Sequence, residues 1–170
     1  VGIHRLNSSG FTVYVNESWW QILDRDPEKN SADDWPQWLH PDDKEAVLTN
    51  WRAAVDGNLQ YSRECRMVMP DGSSRWVLAQ ATPELDAAGV GTGFVASLTD
   101  IHRQKETERA LAESEERLSL ALQGGNDGLW DWNLETGTVY RSPRYLEILG
   151  YDAGELGDTD ADRRSLIHPE

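Results

Sequence analysis

Runs of alternating apolar and polar residues predict five β-strands in the first hundred residues. Two short runs, Ile3–Leu6 and Phe11–Val15, are separated by a cluster of Asn, Ser and Gly that favours a turn, so they are expected to form a hairpin. Three longer runs follow, at Tyr61–Met69, Ser74–Pro83 and Val90–Leu98. Short segments that contain Asp and Gly join them, which predicts three consecutive antiparallel strands.

The Asp71-Gly72 dipeptide sets the predicted register of the middle hairpin. If these two residues alone form the turn, Pro70 pairs with Ser73. One face of the two strands then carries four mostly apolar side chains, Cys65, Met67, Trp76 and Leu78. The other, mixed face carries Glu64, Arg66, Val77 and Ala79. We expect helices to cover the apolar face, and another helix or chain to cover part of the mixed face.

Apolar residues at helical spacing predict three helices. A short helix with Trp19 and Leu23 is expected after an N-cap at Asn16 or Ser18. His40-Pro41-Asp42 opens a longer helix that ends at Gly57, with a stripe formed by Val47, Trp51, Ala54 and Val55. The run from Ile101 to Leu122 contains no Gly or Pro, which favours one rigid helix.

The chain matches itself at a shift of 126 residues, which indicates an internal repeat. Gly2, Val13 and Ile22 fall on Gly128, Val139 and Ile148, and His40-Pro41-Asp42 meets His168-Pro169-Glu170 two residues farther on. The sequence therefore predicts a first domain over residues 1–103, a connecting helix over 104–123, and the N-terminal half of a second, truncated copy over 124–170.

Charge and cysteine content exclude several classes of partner. The 170 residues carry a formal charge of −14, which repels the phosphates of nucleic acids and anionic lipid surfaces. We therefore expect no nucleic-acid partner and no direct membrane contact. One cysteine, Cys65, forms no internal disulfide, and no signal-peptide pattern opens the chain, so a cytoplasmic location is expected.

Several short motifs resemble those of the PAS domain family with its C-terminal PAC segment. These motifs are Tyr14-Val15-Asn16, Leu39-His40-Pro41-Asp42-Asp43, Glu64-Cys65-Arg66, Asp71-Gly72-Ser73-Ser74-Arg75-Trp76-Val77 and Asp100-Ile101-His102. The segments Leu129-Trp130-Asp131-Trp132-Asn133 and Ile167-His168-Pro169-Glu170 resemble the first half of another PAS domain. The family's junction motif is Asp-Ile-Thr, and His102 replaces its Thr here.

The resemblance implies an α+β fold in which helices cover one face of a five-stranded antiparallel sheet. It further implies a non-enzymatic sensory and dimerisation module of a bacterial-type signalling protein. Such a module passes a ligand or redox signal through its C-terminal helix to a downstream effector, a histidine kinase or a diguanylate cyclase or phosphodiesterase of cyclic di-GMP. A homodimer is the expected assembly.

Bulky side chains form the candidate lining of a ligand cavity. The candidates are Trp20, Trp38, Trp51, Cys65, Met67, Trp76 and Leu78. Aromatic rings stack well on planar ligands, so a flavin or another small ligand is favoured over heme. His40 and His168 each precede a Pro that opens a helix, which favours a boundary role, and no metal site is predicted. Cys65 is expected to be buried and inert.

Asp100 ends the last predicted strand and is placed to cap the helix that follows it. The family resemblance adds an ion pair between Asp100 and an arginine of the neighbouring strand, either Arg75 or Arg66. Together with Ile101, these residues are the candidates for coupling the sheet to the helix.

Two alternatives remain open from the sequence. The first is a purely structural dimerisation module with a filled core and no ligand. The second, suggested by the eight Trp residues, is a carbohydrate-binding β-module with its indole rings aligned on an exposed surface.

Overall fold

Five strands of the first hundred residues form one antiparallel sheet in the order β2-β1-β5-β4-β3. The strands are β1 (Gly2–Asn7), β2 (Thr12–Val15), β3 (Tyr61–Val68), β4 (Ser74–Leu85) and β5 (Gly91–Asp100). Helix α1 (Glu17–Leu23), a 3-10 helix (Ala32–Gln37) and helix α2 (Pro41–Gly57) pack on one face of this sheet. The predicted α+β class and the antiparallel sheet are confirmed.

The structure is a computed structural model that describes residues 1–124, 127–152, 154–157 and 162. The chain divides into two compact units, Val1–Glu108 and Arg109–Glu170. Helix α3 (His102–Gly124) covers most of the helix that the sequence predicts. The second unit also contains β6 (Trp130–Trp132), β7 (Val139–Arg141) and α4 (Pro143–Leu149).

Of the two predicted N-caps of the first helix, Asn16 is the one used, and the predicted start and end of α2 are correct. Asn16 is the N-cap of α1, and its side chain accepts a hydrogen bond from the Trp19 amide. His40 caps α2, where its side chain accepts from the Asp42 amide. Asn58 ends α2 in the left-handed conformation. The 3-10 helix lies between the first two predicted helices, where the sequence predicts no helix or strand.

The predicted register of the β3–β4 hairpin is wrong by one residue. Pro70 does not pair with Ser73, because the Met69 N–H donates to the Ser73 carbonyl at 2.8 Å. The Gly72 N–H donates to the Met69 carbonyl at 3.0 Å, and Gly72 has a φ of +84°. Proline after the first residue of a turn and glycine in the left-handed region favour this three-residue loop over the two-residue turn.

The corrected register exchanges the two faces of β4. Cys65 pairs with Val77 on the inner face, under the helices. Trp76 pairs with Arg66 and Leu78 with Glu64, so both apolar side chains lie on the outer face. Val77 is fully buried at 0% exposure, whereas Trp76 and Leu78 are half-buried.

Candidate functional site

A cavity of about 80 Å³ lies between the inner face of the sheet and the helices of the first unit. Trp19, Trp35 and Trp51 line it together with aliphatic side chains such as Leu23 and Val47. One ordered water needs about 10 to 15 Å³ of such space, and the site of a drug-sized ligand measures about 300 to 1,000 Å³. The cavity therefore fits a few waters or one small molecule, and a flavin exceeds it.

The structure divides the seven candidate lining residues into three groups. Trp51, Cys65 and Met67 line the cavity. Trp20 and Trp38 pack beside it in the aromatic part of the core, with ring centroids 6.4 Å apart. Trp76 and Leu78 lie on the outer face of the sheet because of the corrected register, so their predicted place in the lining is wrong.

His4 is a polar residue of the cavity that the sequence analysis misses. It lies on the inner face of β1, is 7% exposed, and its Nε2 lies 2.8 Å from the Thr12 hydroxyl. Burial lowers the pKa of His4 to about 4, although the nearby Asp33 carboxylate opposes this shift. The ring is therefore neutral at physiological pH. The sequence carries one signal for this position: His4 lies two residues before Leu6 in a strand, so both side chains point to the same face of the sheet.

Tyr61 supplies another polar group of the lining. Its ring packs edge-on against Trp51, with the ring centroids 5.5 Å apart. Its hydroxyl is buried and finds no hydrogen-bond partner in the described part of the chain. Burial raises the pKa of Tyr61 to about 12, so the hydroxyl keeps its proton and is available as a donor. An unpaired buried hydroxyl costs about 1 to 3 kcal/mol, which an acceptor atom would offset.

Cys65 lines the cavity as a protonated thiol. It is 3% exposed, and burial raises its pKa to about 11. Only the thiolate is an effective nucleophile or metal ligand, so Cys65 is poorly suited to either role. The residues described as lining the cavity include no Lys, Arg, Asp or Glu. With His4 neutral, the site holds no formal charge to balance a charged occupant.

At the end of the sheet, Arg75 links a cavity helix to the junction with α3. Its Nη1 donates to the carbonyl of Ile22, near the end of α1, at 2.7 Å. Its Nε lies 3.7 Å from Oδ2 of Asp100. The other carboxylate oxygen of Asp100 accepts from the amide of His102, the first residue of α3, at 2.9 Å. Of the two arginines considered from the sequence, Arg75 is therefore the partner of Asp100.

Ile101 anchors the same junction to the sheet. Its side chain is buried, and its N–H donates to the carbonyl of Trp76 at 3.1 Å. The Trp76 N–H, in turn, donates to Nδ1 of His102 at 3.4 Å. The backbone of β4 is therefore bonded to Ile101, just before α3, and to His102, its first residue.

Arg66 forms a separate network on the outer face. It donates to both carboxylate oxygens of Asp43, from Nη2 at 2.7 Å and from Nε at 3.0 Å, and it also reaches Asp42. Hydrogen bonds from Arg66 hold the pKa of Asp43 below its ordinary value. The Arg66 guanidinium and the Lys105 ammonium lie 5.5 and 5.9 Å from the Trp76 ring. This network joins the start of α2 to α3 without involving Asp100.

Two general features limit other kinds of site. Among the described residues, no group of three or more His, Cys, Asp and Glu side chains is arranged to hold a metal ion. His40 acts as a helix cap, and His168 lies outside the described residues. In the part of the chain that the structure describes, no helix is both long enough and apolar enough to cross a membrane.

The hairpin and short helix of the second unit repeat local geometry of the first. Trp130 pairs with Arg141 as His4 pairs with Val15, at the same shift of 126 residues. Ser142 caps α4 as Asn16 caps α1. A Cβ atom on Gly2 would lie 2.8 Å from the Cα of Trp19, and one on Gly128 would lie 2.6 Å from the Cα of Tyr145. The predicted match at His168-Pro169-Glu170 lies outside the described residues.

Curated relatives of this chain include signalling enzymes. Over 67 residues, or 39% of the chain, it is 48% identical to hybrid signal transduction histidine kinase A of Dictyostelium discoideum. It is 25% identical over 87% of its length to the probable diguanylate cyclase DgcE of Escherichia coli K12. The aligned parts cover 3% and 14% of these two relatives, so the chain spans only a small part of each.

Solved structures support the same fold. A sensory box histidine kinase/response regulator from Burkholderia thailandensis superposes with a TM-score of 0.56 and 24% identity, over 69% of this chain and 89% of that one. The N-terminal domain of a diguanylate cyclase with PAS/PAC sensor from Marinobacter aquaeolei also has a TM-score of 0.56, at 18% identity, over 61% and 97% of the two chains. The family model described as PAS fold matches residues 12–97, a little over half of the chain. The chain therefore belongs to the PAS fold family, and its PAS sensor domain is related to domains of histidine kinases and diguanylate cyclases.

Proposed function

We propose that the chain is a cytoplasmic, non-catalytic sensory and dimerisation module that passes a signal through α3 to an effector domain, either a histidine kinase or a diguanylate cyclase or phosphodiesterase. The observation that carries this proposal is the pair of contacts made by Arg75. One contact reaches α1, whose Trp19 and Leu23 line the cavity, and the other reaches Asp100 at the end of β5, which accepts from the first amide of α3. A shift of α1 against the sheet therefore changes a contact of the residue that caps α3.

The input that fits this cavity best is a small uncharged molecule. The lining offers a hydroxyl donor on Tyr61 and a neutral imidazole on His4, and it has no ionised group to pair with a charged ligand. Taking an unpaired charge out of water has a large free-energy cost, so an anion or cation is disfavoured there. Oxidation of Cys65 is a weaker candidate for the input, because burial keeps its thiol protonated.

Propionamide and propionate form a matched pair of probes for this input. We expect propionamide to perturb the amide resonances of cavity residues in a titration followed by nuclear magnetic resonance, and propionate to leave them unchanged. Tyr61→Phe removes only the hydroxyl, and this variant should bind propionamide more weakly by about three- to tenfold, the value of one hydrogen bond. Equal binding of both probes, or no effect of Tyr61→Phe, would contradict the assignment.

The coupling step is tested with two variants of Asp100. Asp100→Asn keeps an oxygen that accepts from the His102 amide but removes the charge opposite Arg75, and Asp100→Ala removes both. We expect propionamide to alter hydrogen exchange at the first turn of α3 in the parent chain, and this response to be weakened in Asp100→Asn and lost in Asp100→Ala. Both variants should still bind propionamide. An undiminished response at α3 in Asp100→Ala would refute coupling through this residue.

We further propose that residues 124–170 are the N-terminal half of a second PAS unit, joined to the first domain (residues 1–103) by the helix over 104–123. The repeated hairpin pairing, the equivalent helix caps and the close approach at Gly2 and Gly128 support this reading. Gly128→Ala should then disturb the second unit by the same clash with a helix that Gly2→Ala causes in the first. Resonance changes confined to the substituted unit in each variant would support the equivalence, and a silent Gly128→Ala would count against it.

A homodimer is the assembly we propose for this module. Leu111 and Leu118 are exposed and lie seven residues apart on α3, so they share one face of the helix. A second copy of the chain would bury this face. Light scattering should therefore give the mass of a dimer, and replacement of both leucines by lysine should give a monomer. A parent chain that is a monomer at every accessible concentration would refute this assembly.

The alternative function is a structural dimerisation module without a ligand, and the small volume of the cavity favours it. It predicts that neither probe binds and that the chain purified under mild conditions carries no small molecule in a native mass spectrum. A carbohydrate-binding surface has less support, because Trp19 and Trp38 are buried in the core instead of lying on the surface.

A further inference from the structure

His102 has two hydrogen-bonding contacts that depend differently on its protonation. Its Nδ1 accepts from the Trp76 N–H at 3.4 Å, and its Nε2 lies 3.4 Å from Oε1 of Glu106. A backbone amide can only donate, so Nδ1 must present its lone pair and the neutral ring must carry its proton on Nε2, toward Glu106. The side chain is 38% exposed, so solvent protons reach it.

The bond from Trp76 to His102 completes the last rung between the sheet and α3. The β4–β5 pairing ends at Val77 and Asp100, and the next backbone contact is the bond from the Ile101 N–H to the Trp76 carbonyl. Helix α3 begins at His102, so no strand residue continues the ladder to accept the Trp76 N–H. The imidazole takes the place of that missing backbone acceptor.

We propose that His102 is a proton-sensitive latch between the sheet and α3. In its neutral form, His102 accepts from the Trp76 amide and holds the strand against the helix. Protonation places a hydrogen on Nδ1, so two donors face each other and the bond cannot persist. The imidazolium ring then interacts with the carboxylate of Glu106, and the first turn of α3 loses one of its bonds to β4.

The charges around the ring are consistent with such a switch. Four elements supply charged groups near the junction, namely β5 (Asp100), β4 (Arg75), β3 (Glu64 and Arg66) and α3 (Lys105 and Glu106). Each of the cations already has an acidic partner: Arg75 pairs with Asp100, Lys105 with Glu64, and Arg66 with Asp43. The acidic side chain in direct contact with the imidazole is that of Glu106, which accommodates its positive charge.

This latch is a second input to the same helix. It acts at the junction, whereas a cavity ligand acts through α1 and Arg75. It rests on the proposed function only in treating α3 as the output element. The effect of protonation on the Trp76–His102 hydrogen bond requires neither a cavity ligand nor an effector domain. Imidazole is the side chain that ordinarily changes charge between about pH 5 and pH 8, which sets the pH range over which the latch is to be tested.

Amide hydrogen exchange of the full 170-residue chain tests the latch. The quantity measured is the protection factor of the Trp76 amide divided by that of the Ile101 amide, whose acceptor is a carbonyl that does not titrate. Between about pH 8 and about pH 5.5 we expect this ratio to fall about three- to tenfold, as for the loss of one hydrogen bond. His102→Asn keeps a neutral acceptor near the position of Nδ1, so its ratio should stay high throughout. His102→Lys has a cation and no acceptor, so its ratio should be low throughout.

His40→Asn is the matched control, because His40 also accepts a backbone hydrogen bond through Nδ1 but caps α2 at another place in the fold. This variant should retain the pH response at Trp76. Three outcomes would overturn the proposal: a constant ratio in the parent chain, a parallel fall in His102→Asn, or a high ratio in His102→Lys at any pH. Loss of propionamide binding leaves these outcomes unchanged, so failure of the cavity assignment is distinguishable from failure of the latch.

Discussion

Val77→Ala and Leu78→Ala test the register of the β3–β4 hairpin. The predicted and the observed register place these two neighbouring side chains on opposite faces of the sheet, so they give opposite orders for the two losses of stability. Val77 is fully buried on the inner face and packs in the main core cluster. Val77→Ala removes two methyl groups from water-free surroundings, worth about 1.6 kcal/mol of transfer free energy, and leaves a space that adds about 24 cal/mol per Å³. We therefore expect the free energy of unfolding to fall by about 2 to 3 kcal/mol.

Leu78→Ala removes more atoms but should destabilise less. Leu78 is half-buried on the outer face, where water can fill the space that the side chain leaves, so we expect a loss of about 1 kcal/mol or less. Urea unfolding of the first unit, followed by tryptophan fluorescence, measures both effects. With a slope of about 2 kcal/mol per M, the midpoint should shift by roughly 1 M for Val77→Ala and by less than half of that for Leu78→Ala. A larger shift for Leu78→Ala would refute the register and the position of the cavity with it.

Three further predictions concern titratable groups. The pKa of His4 falls to about 4 on folding, so the unfolded chain binds a proton at this ring more readily than the folded chain does. Acidification from about pH 6.5 to about pH 4 should therefore lower the free energy of unfolding by on the order of 3 kcal/mol. The variant His4→Gln should not show this loss. Cys65, with its pKa raised to about 11, should react with a thiol reagent at pH 7.5 far more slowly in native protein than in urea, and equal rates would contradict its burial. Folding lowers the pKa of Asp43. The ionised carboxylate therefore stabilises the folded chain at any pH above the pKa that Asp43 has in the unfolded chain. This stabilisation is lost as the pH falls through the pKa that Asp43 has in the folded chain. Urea midpoints of Asp43→Asn should vary less with pH in that acidic range.

The sequence was sufficient for the elements of the sheet and for most helix ends, because these depend on local signals. Alternation specified the strands, and Asn16 and His40 mark helix starts through residue types that accept a hydrogen bond from the first turn. The register failed at Pro70, where one residue decides between a two-residue turn and a three-residue loop. Both loops suit an Asp-Gly pair, and a shift of one residue reverses every side chain of the strand that follows.

The cavity was harder to predict, because its polar groups do not form a motif. His4 and Tyr61 are distant in sequence and meet only when β1 and β3 lie at their places in the sheet. Of the large aromatic side chains predicted to line a ligand site, Trp51 lines the cavity, whereas the corrected register places Trp76 on the other side of the sheet. Bulk alone does not distinguish a residue that lines a cavity from one that covers an outer face.

The strength of the junction contacts constrains how a signal can pass through them. Asp100 is 41% exposed and lies 3.7 Å from Arg75, and an ion pair of this kind contributes about 0 to 1 kcal/mol. Coupling between two sites typically requires about 1 to 3 kcal/mol, so this pair is too weak to carry it alone. Under the proposed coupling, the Arg75 bond to Ile22, the Asp100 cap and the Trp76 bond to His102 would therefore have to change together. If they do, Asp100→Asn and His102→Lys should be non-additive in their effects on exchange at the first turn of α3, whereas independent contacts would give additive effects.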